Sequence, residues 1–280
     1  MNAYLRLMRL DKPIGIYLLL WPTLWALFLA ADGWPSIELL IIFILGVALM
    51  RSAGCVINDY ADRNIDKLIE RTKNRPITSG EVTTGNALKL FAGLVGLAFL
   101  LVLLTNWLTV QLAFVALFLA MLYPFTKRWT HLPQFVLGLA FAMSVPMAFA
   151  ATNNNVPVSA WWIFLATIIW TVIYDTMYAM SDREEDLKIG VKSTAILFAK
   201  YDKWIIGVLQ ISLLLTLIKI SEIFNLAVFY DISLILSAFL MIYHQVLIKN
   251  REKTACFQAF LHNNYLGMVI FAGIALSFTA

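Results

Sequence analysis

Carboxylates recur every three or four residues in two short stretches, Asn58–Asp66 and Tyr174–Asp186. If both are helical, Asn58, Asp62 and Asp66 share one helix face with Asp59 beside them, and Asp182 and Asp186 share another. Tyr174 and Tyr178 extend the second stripe inward, and Asp175 lies three residues before Tyr178. Hard carboxylate oxygens suit Mg²⁺, which keeps several waters and is often completed by substrate phosphates. Two such faces brought together would cage divalent cations and a polyphosphate. A solvated helix end can explain one cluster of mixed charge. It explains less well two clusters of matching spacing at the ends of long apolar runs, where acids are expensive. Glu184 and Glu185 fall off the second face and are expected to be solvated.

Basic residues flank both clusters. Arg71, Lys73 and Arg75 follow the first, Lys188 and Lys192 follow the second, and Lys127 and Arg128 lie between. Membrane topology alone accounts for many of them. Charge-assisted donors also grip phosphate, and Arg75, Lys127 and Lys192 are assigned that role. Arg51 lies seven residues before Asn58, about 10 Å deeper along the same helix face. An arginine inside a membrane span needs a partner. That partner is either an acid of another helix or the carboxylate of a bound ligand at the pocket floor.

The elements that must position these residues are membrane helices. The chain has 280 residues, 61% hydrophobic and 14% charged, with a mean hydropathy of +0.80. Soluble domains carry about 25% charged residues, so a polytopic membrane protein is indicated, read as a single domain over residues 1–280. The first apolar run has no cleavage site and reads as a span that stays. At roughly 17–25 apolar residues per span, the runs divide into nine, near 14–31, 37–57, 88–104, 108–125, 133–151, 160–181, 204–220, 226–248 and 259–279. Thr105-Asn106 and the turn-rich stretch Thr152–Pro157 supply two of the breaks. With the N-terminus in the cytoplasm, 19 of the 21 lysines and arginines fall on the cytoplasmic side, with only Lys219 outside and Arg51 within a span. That asymmetry is the positive-inside rule, and it puts both acidic clusters on the cytoplasmic face.

These residues resemble a known pattern. Asn-Asp-x-x-Asp-x-x-x-Asp at Asn58–Asp66, with Asp175, Tyr178, Asp182 and Asp186 as the second stripe, is similar to the UbiA superfamily of intramembrane prenyltransferases. Within it, the likeness is to bacterial members that prenylate 4-hydroxybenzoate. Arg9–Gly15, Leu20–Ala26, Arg51–Asp59, Tyr123–Arg128 and Lys192–Phe198 extend it over nearly the whole chain. The resemblance implies an all-α fold, nine transmembrane helices around one central cavity, in the bacterial inner membrane. It implies Mg²⁺ as cofactor, polyprenyl diphosphate and 4-hydroxybenzoate as substrates, and a place in ubiquinone biosynthesis. Membrane lipid is the other partner, with no nucleic acid. Under this reading Asp59, Asp62, Asp66, Asp182 and Asp186 hold the metal with Asn58, and Arg51 holds the ring carboxylate. Tyr178 and Tyr174 face an allylic cation, and Asp175 removes the ring proton or orients the acceptor.

Two alternatives stand beside it. One is a sister prenyltransferase acting on a quinone precursor, homogentisate or haem. The other is a cation transporter, which should carry its acids near the bilayer midplane with access from both faces. His131, His244 and His262 share no ligand spacing, so no zinc site is expected. The phenylalanines read as core and lipid-facing filling. Asn263 and Asn264 suit either a cavity wall or a helix end. Gly93 and Gly96, or Gly138 and Ala142, are candidates for close helix approach.

Overall fold

The computed structural model describes residues 2–68 and 72–279, so Arg71 lies outside the described residues. Twelve α-helices follow one another, and no strand occurs among the described residues. They are α1 (Ala3–Leu7), α2 (Ile14–Ala30), α3 (Ile37–Asp62), α4 (Thr84–Val102), α5 (Trp107–Thr126), α6 (Pro133–Ala142), α7 (Ser144–Asn153), α8 (Ala160–Ile189), α9 (Thr194–Phe198), α10 (Asp202–Phe224), α11 (Val228–Leu247) and α12 (Lys253–Ser277). Eight helical stretches are long and apolar enough to cross a membrane; α2 is equally apolar but has 17 residues.

Local chemistry sets many of the boundaries. Ser36, Thr83 and Asn106 cap α3, α4 and α5 by accepting from backbone N–H groups at Leu39, Asn86 and Thr109, as small polar residues do at helix starts. Asn154 ends α7 in the left-handed region at φ 50°, a conformation asparagine tolerates. The expected span 133–151 is two helices rather than one. Pro146 has no N–H to return to Ala142, so the ladder breaks at Met143, and Ser144 Oγ donates to Phe141 O at 2.9 Å.

The two acid-bearing helices are also the two longest, α8 with 30 residues and α3 with 26. At 1.5 Å per residue they run about 45 and 39 Å, beyond the ~30 Å hydrocarbon core. They are therefore long enough to carry their acid-bearing ends past it. The first cluster is not helical to its end. The α-helix stops at Asp62, Ile65 N donates to Asp62 O at 2.8 Å, and Asp66 opens a 3₁₀ turn. Carboxylates at a helix C-terminus oppose the macrodipole, and an unbroken helix would place a third one there. Two arginines cap the end instead: Arg128 donates to Ala61 O at 2.7 Å and Arg63 to Tyr60 O at 2.6 Å.

Helix α8 is the buried axis, packed against α2, α6, α7, α10 and α12. Gly138 permits the α6–α8 contact, since a Cβ there would stand 3.3 Å from the Ile168 backbone. Gly93 and Gly96 face open space and mediate no such approach. Asn263 and Asn264 lie within α12, away from its ends. Each accepts from an indole, Asn263 from the buried Trp170 Nε1 at 3.0 Å and Asn264 from the half-buried Trp21 Nε1 at 2.8 Å. Gly267 is the small residue that admits this tryptophan cluster: a Cβ would meet Trp170 Cη2 at 2.5 Å and Trp21 Cδ1 at 2.6 Å. Gly267→Ala is expected to destabilise the bundle by about 1–3 kcal/mol through overpacking. A thermal midpoint in detergent equal to wild type would contradict this packing.

Candidate active site

A cavity of about 500 Å³ opens at one end of the bundle. The starts of α2, α6 and α12 and the ends of α3, α5 and α8 surround it. All thirteen residues assigned a site role line it: Arg51, Asn58, Asp59, Asp62, Asp66, Arg75, Lys127, Tyr174, Asp175, Tyr178, Asp182, Asp186 and Lys192. Residues more than a hundred positions apart are thus brought to one chamber.

The acids of the first cluster are heavily engaged with cations. Arg9 Nη2 donates to both oxygens of Asp59, at 3.0 and 3.1 Å. Arg75 Nη1 lies 3.0 Å from Asp59 and 2.9 Å from Asp66. Lys127 Nζ pairs with Asp62 Oδ2, leaving Asp62 Oδ1 buried without a hydrogen-bond partner. Burial pushes the Asp66 carboxyl above the usual carboxylate range against the pull of Arg75. Burial works to lower Arg75, but Asp59 and Asp66 outweigh it and hold the guanidinium above its ordinary value. Asp59 is 1% exposed and sits between two arginines. In that setting it orients both guanidinium groups.

Deeper in, Arg51 makes no ion pair or side-chain hydrogen bond among the described residues, and its Nε is buried without a partner. The interhelical ion pair that the sequence left open is therefore not formed. The guanidinium lies over the Phe141 ring at 5.7 Å and against Gly15, where a Cβ would come within 2.4 Å of Nε. Asp175 is 9% exposed, makes no hydrogen bond or ion pair among the described residues, and lies within the electrostatic reach of Arg51. The Tyr178 ring packs at a tilt against Phe260 and Phe257, with centroids 4.9 and 6.0 Å away. The Tyr174 hydroxyl donates to Thr171 Oγ1 at 3.2 Å, and its ring packs against Trp170 and Phe260.

A second, apolar cavity of about 190 Å³ adjoins the first, sharing Arg51, Tyr123, Leu137 and Phe141. Leu19, Gly46, Val95, Phe99, Ala116 and Phe114 are among its walls, contributed by α2 to α5.

Sequence reasoning missed several participants. Arg9 lies in a short basic run that topology explained by itself, and nothing in its spacing points to Asp59. Phe257 and Phe260 line the charged cavity, whereas they had been grouped with the filler among nineteen phenylalanines. Glu185 pairs with Lys253 at 2.5 Å rather than being simply solvated. Arg128 caps α3, and Lys192 Nζ reaches Trp129 O at 3.2 Å. His244 and His262 meet across α11 and α12 with ring centroids 6.1 Å apart, but no group of three His, Cys, Asp or Glu among the described residues forms a ready metal site.

The donor set nonetheless fits a hard cation. Its oxygens are carboxylate and amide, Asp62 Oδ1 is buried without a hydrogen-bond partner, and Asp62 lines the chamber with Asn58, Asp66, Asp182 and Asp186. Their spread suits Mg²⁺ completed by water and phosphate rather than by protein alone.

Residues 19–266 match the model of the UbiA prenyltransferase family. The chain belongs to that family. It is 72% identical over 270 residues to the 4-hydroxybenzoate octaprenyltransferase of Vesicomyosocius okutanii, covering 96% of this chain and 99% of that one. It is 59% identical over 277 residues to the protein of the same name from Psychromonas ingrahamii, covering 99% and 96%. In fold it is similar to the UbiA homologue of Aeropyrum pernix (TM-score 0.82, 24% identity, 94% and 97% covered). It is also similar to the Archaeoglobus fulgidus homologue solved with GPP and Mg²⁺ (TM-score 0.80, 17% identity, both chains fully covered). It is thus a prenyltransferase, built as an all-helical membrane bundle.

The role of Asp59 is measurable. Asp59→Asn is expected to cost roughly 1–3 kcal/mol, less than a fully buried pair because both arginines are partly solvated. A thermal midpoint equal to wild type in Asp59→Asn would contradict the assignment of Asp59 as a clamp.

Proposed function

We propose that this chain transfers a polyprenyl group from polyprenyl diphosphate to 4-hydroxybenzoate. The group goes to the ring carbon ortho to the hydroxyl, with release of diphosphate, as a step of ubiquinone biosynthesis. One observation carries the reading: a charged chamber and an apolar channel meet at Arg51, in a chain whose near-full-length relatives bear that activity as their name.

The diphosphate lies in the charged chamber, gripped by Arg9, Arg75, Lys127 and Lys192 through charge-assisted hydrogen bonds. Asn58, Asp62, Asp66, Asp182 and Asp186 hold Mg²⁺, with Asp59 orienting Arg9 and Arg75. Bound there, the metal supplies Lewis-acid stabilisation of the departing diphosphate. The prenyl tail runs into the apolar channel, an octaprenyl chain by analogy with the relatives. The C–O bond to diphosphate breaks and leaves an allylic cation. Tyr178 and Tyr174, with Phe260 beside them, present ring faces to that cation, and the apolar walls exclude water that would trap it. Arg51 holds the acceptor carboxylate, bidentately where its fork allows. The ring carbon attacks, a C–C bond forms, and the ring proton leaves to Asp175.

The same reading sets the orientation. The buried helix α2 is the ninth span, the N-terminus is cytoplasmic by the positive-inside rule, and the chamber faces the cytoplasm from the bacterial inner membrane. A transporter is disfavoured because the acids gather at one end of the bundle instead of midway.

Asp62→Ala and Asp182→Ala should each abolish prenyl transfer in protein that still folds, and EDTA should do the same to wild type. Near-normal turnover in any of these would sink the metal-cage reading. For the acceptor, Gly15→Ala should push the Arg51 guanidinium aside. The 4-hydroxybenzoate KM should then rise about tenfold or more, as when one charge-assisted contact is lost. The KM for prenyl diphosphate should stay put. A matched rise in both constants would argue against Arg51 as the carboxylate site.

A further inference from the structure

Gln134 carries a hydrogen-bond donor that the protein itself leaves unused. It is the second residue of α6 and is 5% exposed. It lines the charged chamber but not the apolar channel. Its Oε1 accepts from Thr194 N at 3.0 Å. A backbone N–H can only donate, so that arm of the amide is the oxygen and the other arm is Nε2. Nε2 makes no hydrogen bond among the described residues, and it is not sealed from solvent. The rest of the side chain is buried, so its open side is the chamber that it lines.

The Thr194 bond is one of several that build the wall around this amide. Lys192 N donates to Lys127 O at 3.1 Å and Lys192 Nζ to Trp129 O at 3.2 Å. The Thr176 and Thr194 hydroxyls are bonded at 2.7 Å. Residues 191–193, which line the chamber, are thereby tied to the end of α5 and the start of α6. Gln134 thus stands in the same wall as Lys127 and Lys192. Leu137 and Phe141 follow three and seven residues later on its helix face, and Phe141 lies under the Arg51 guanidinium. At 1.5 Å per residue, Gln134 is about 10 Å along α6 from that end. The amide therefore sits with the diphosphate and away from the acceptor carboxylate. Lys127 is already paired with Asp62, and Arg75 with Asp59 and Asp66, so each exchanges a partner to take a phosphate oxygen. Gln134 Nε2 has none to give up. We propose that Gln134 is a substrate-binding residue: Oε1 pins the segment that carries Lys192, and Nε2 donates to an anionic oxygen of the prenyl diphosphate. The inference rests on the placement of the diphosphate given above.

The test is the binding of an unreactive prenyl thiodiphosphate, with Mg²⁺, to full-length protein in detergent. Gln134→Glu exchanges only the amide nitrogen for oxygen and keeps the acceptor for Thr194 N. It should bind the thiodiphosphate about tenfold or more weakly, the factor of one charge-assisted hydrogen bond. Its KM for 4-hydroxybenzoate should stay within about twofold of wild type. Wild-type thiodiphosphate affinity in Gln134→Glu would overturn the proposal and leave Gln134 a brace for the Lys192 segment. A raised 4-hydroxybenzoate KM in place of the weakened binding would overturn it too. If Gln134→Glu does not yield folded protein, Gln134→Met is compared with Lys192→Met and with the pair. Losses that add in the pair support a direct donor. A pair that binds no more weakly than Lys192→Met alone overturns it, because Gln134 then acts only through Lys192. Wild-type protein that binds the thiodiphosphate but transfers nothing to 4-hydroxybenzoate would refute the reaction and leave the Gln134 comparison standing.

Discussion

Carboxylates crowded around one chamber at the end of a membrane bundle repel each other, and most of the local structure answers that repulsion. Two of them sit at the negative end of the α3 dipole, which makes the arrangement worse. The protein offsets it with cations drawn from distant segments. Arg9 comes from before the first long helix, Arg75 from the loop after α3, and Lys127 from the end of α5. Asp202 and two further arginines form a separate node beside the chamber. Removing a single partner of a desolvated pair leaves an uncompensated charge, so these contacts hold the site in one arrangement.

The division of the interior into a charged chamber and an apolar channel follows from the same helices. Each runs from polar turns at one end to apolar residues in its middle, so the boundary falls at a common depth. Arg51 stands at that boundary with Tyr123, Leu137 and Phe141. A substrate with a charged head and a long apolar tail matches that gradient, and an acceptor with one carboxylate matches Arg51, the one guanidinium among the described residues that makes no hydrogen bond or ion pair.

Local signals in the sequence proved readable. Asn106 and Asn154 mark real helix boundaries because capping and left-handed turns are decided by the residue itself. The acidic faces were legible because period and spacing are local properties, and every residue assigned a site role lines the one chamber. What stayed hidden depends on contacts between distant segments. The Arg9–Asp59 pair spans fifty residues. The roles of Asn263 and Asn264 depend on tryptophans of α8 and α2. Phe257 and Phe260 differ from the other phenylalanines only in where α12 packs. The end of α3 at Asp62, where a period-four pattern continues to Asp66, shows cations and dipole overriding a local repeat.

Everything depends on two acid-bearing helix ends, α3 and α8, sharing one ionic load. The direct measurement is the anomalous scattering of Mn²⁺ in crystals grown with an unreactive prenyl thiodiphosphate. Density between the Asp62–Asp66 side and the Asp182–Asp186 side, bridged by the thiodiphosphate, is the predicted result. Metal bound to one helix alone, or to neither, with the thiodiphosphate elsewhere, would contradict it.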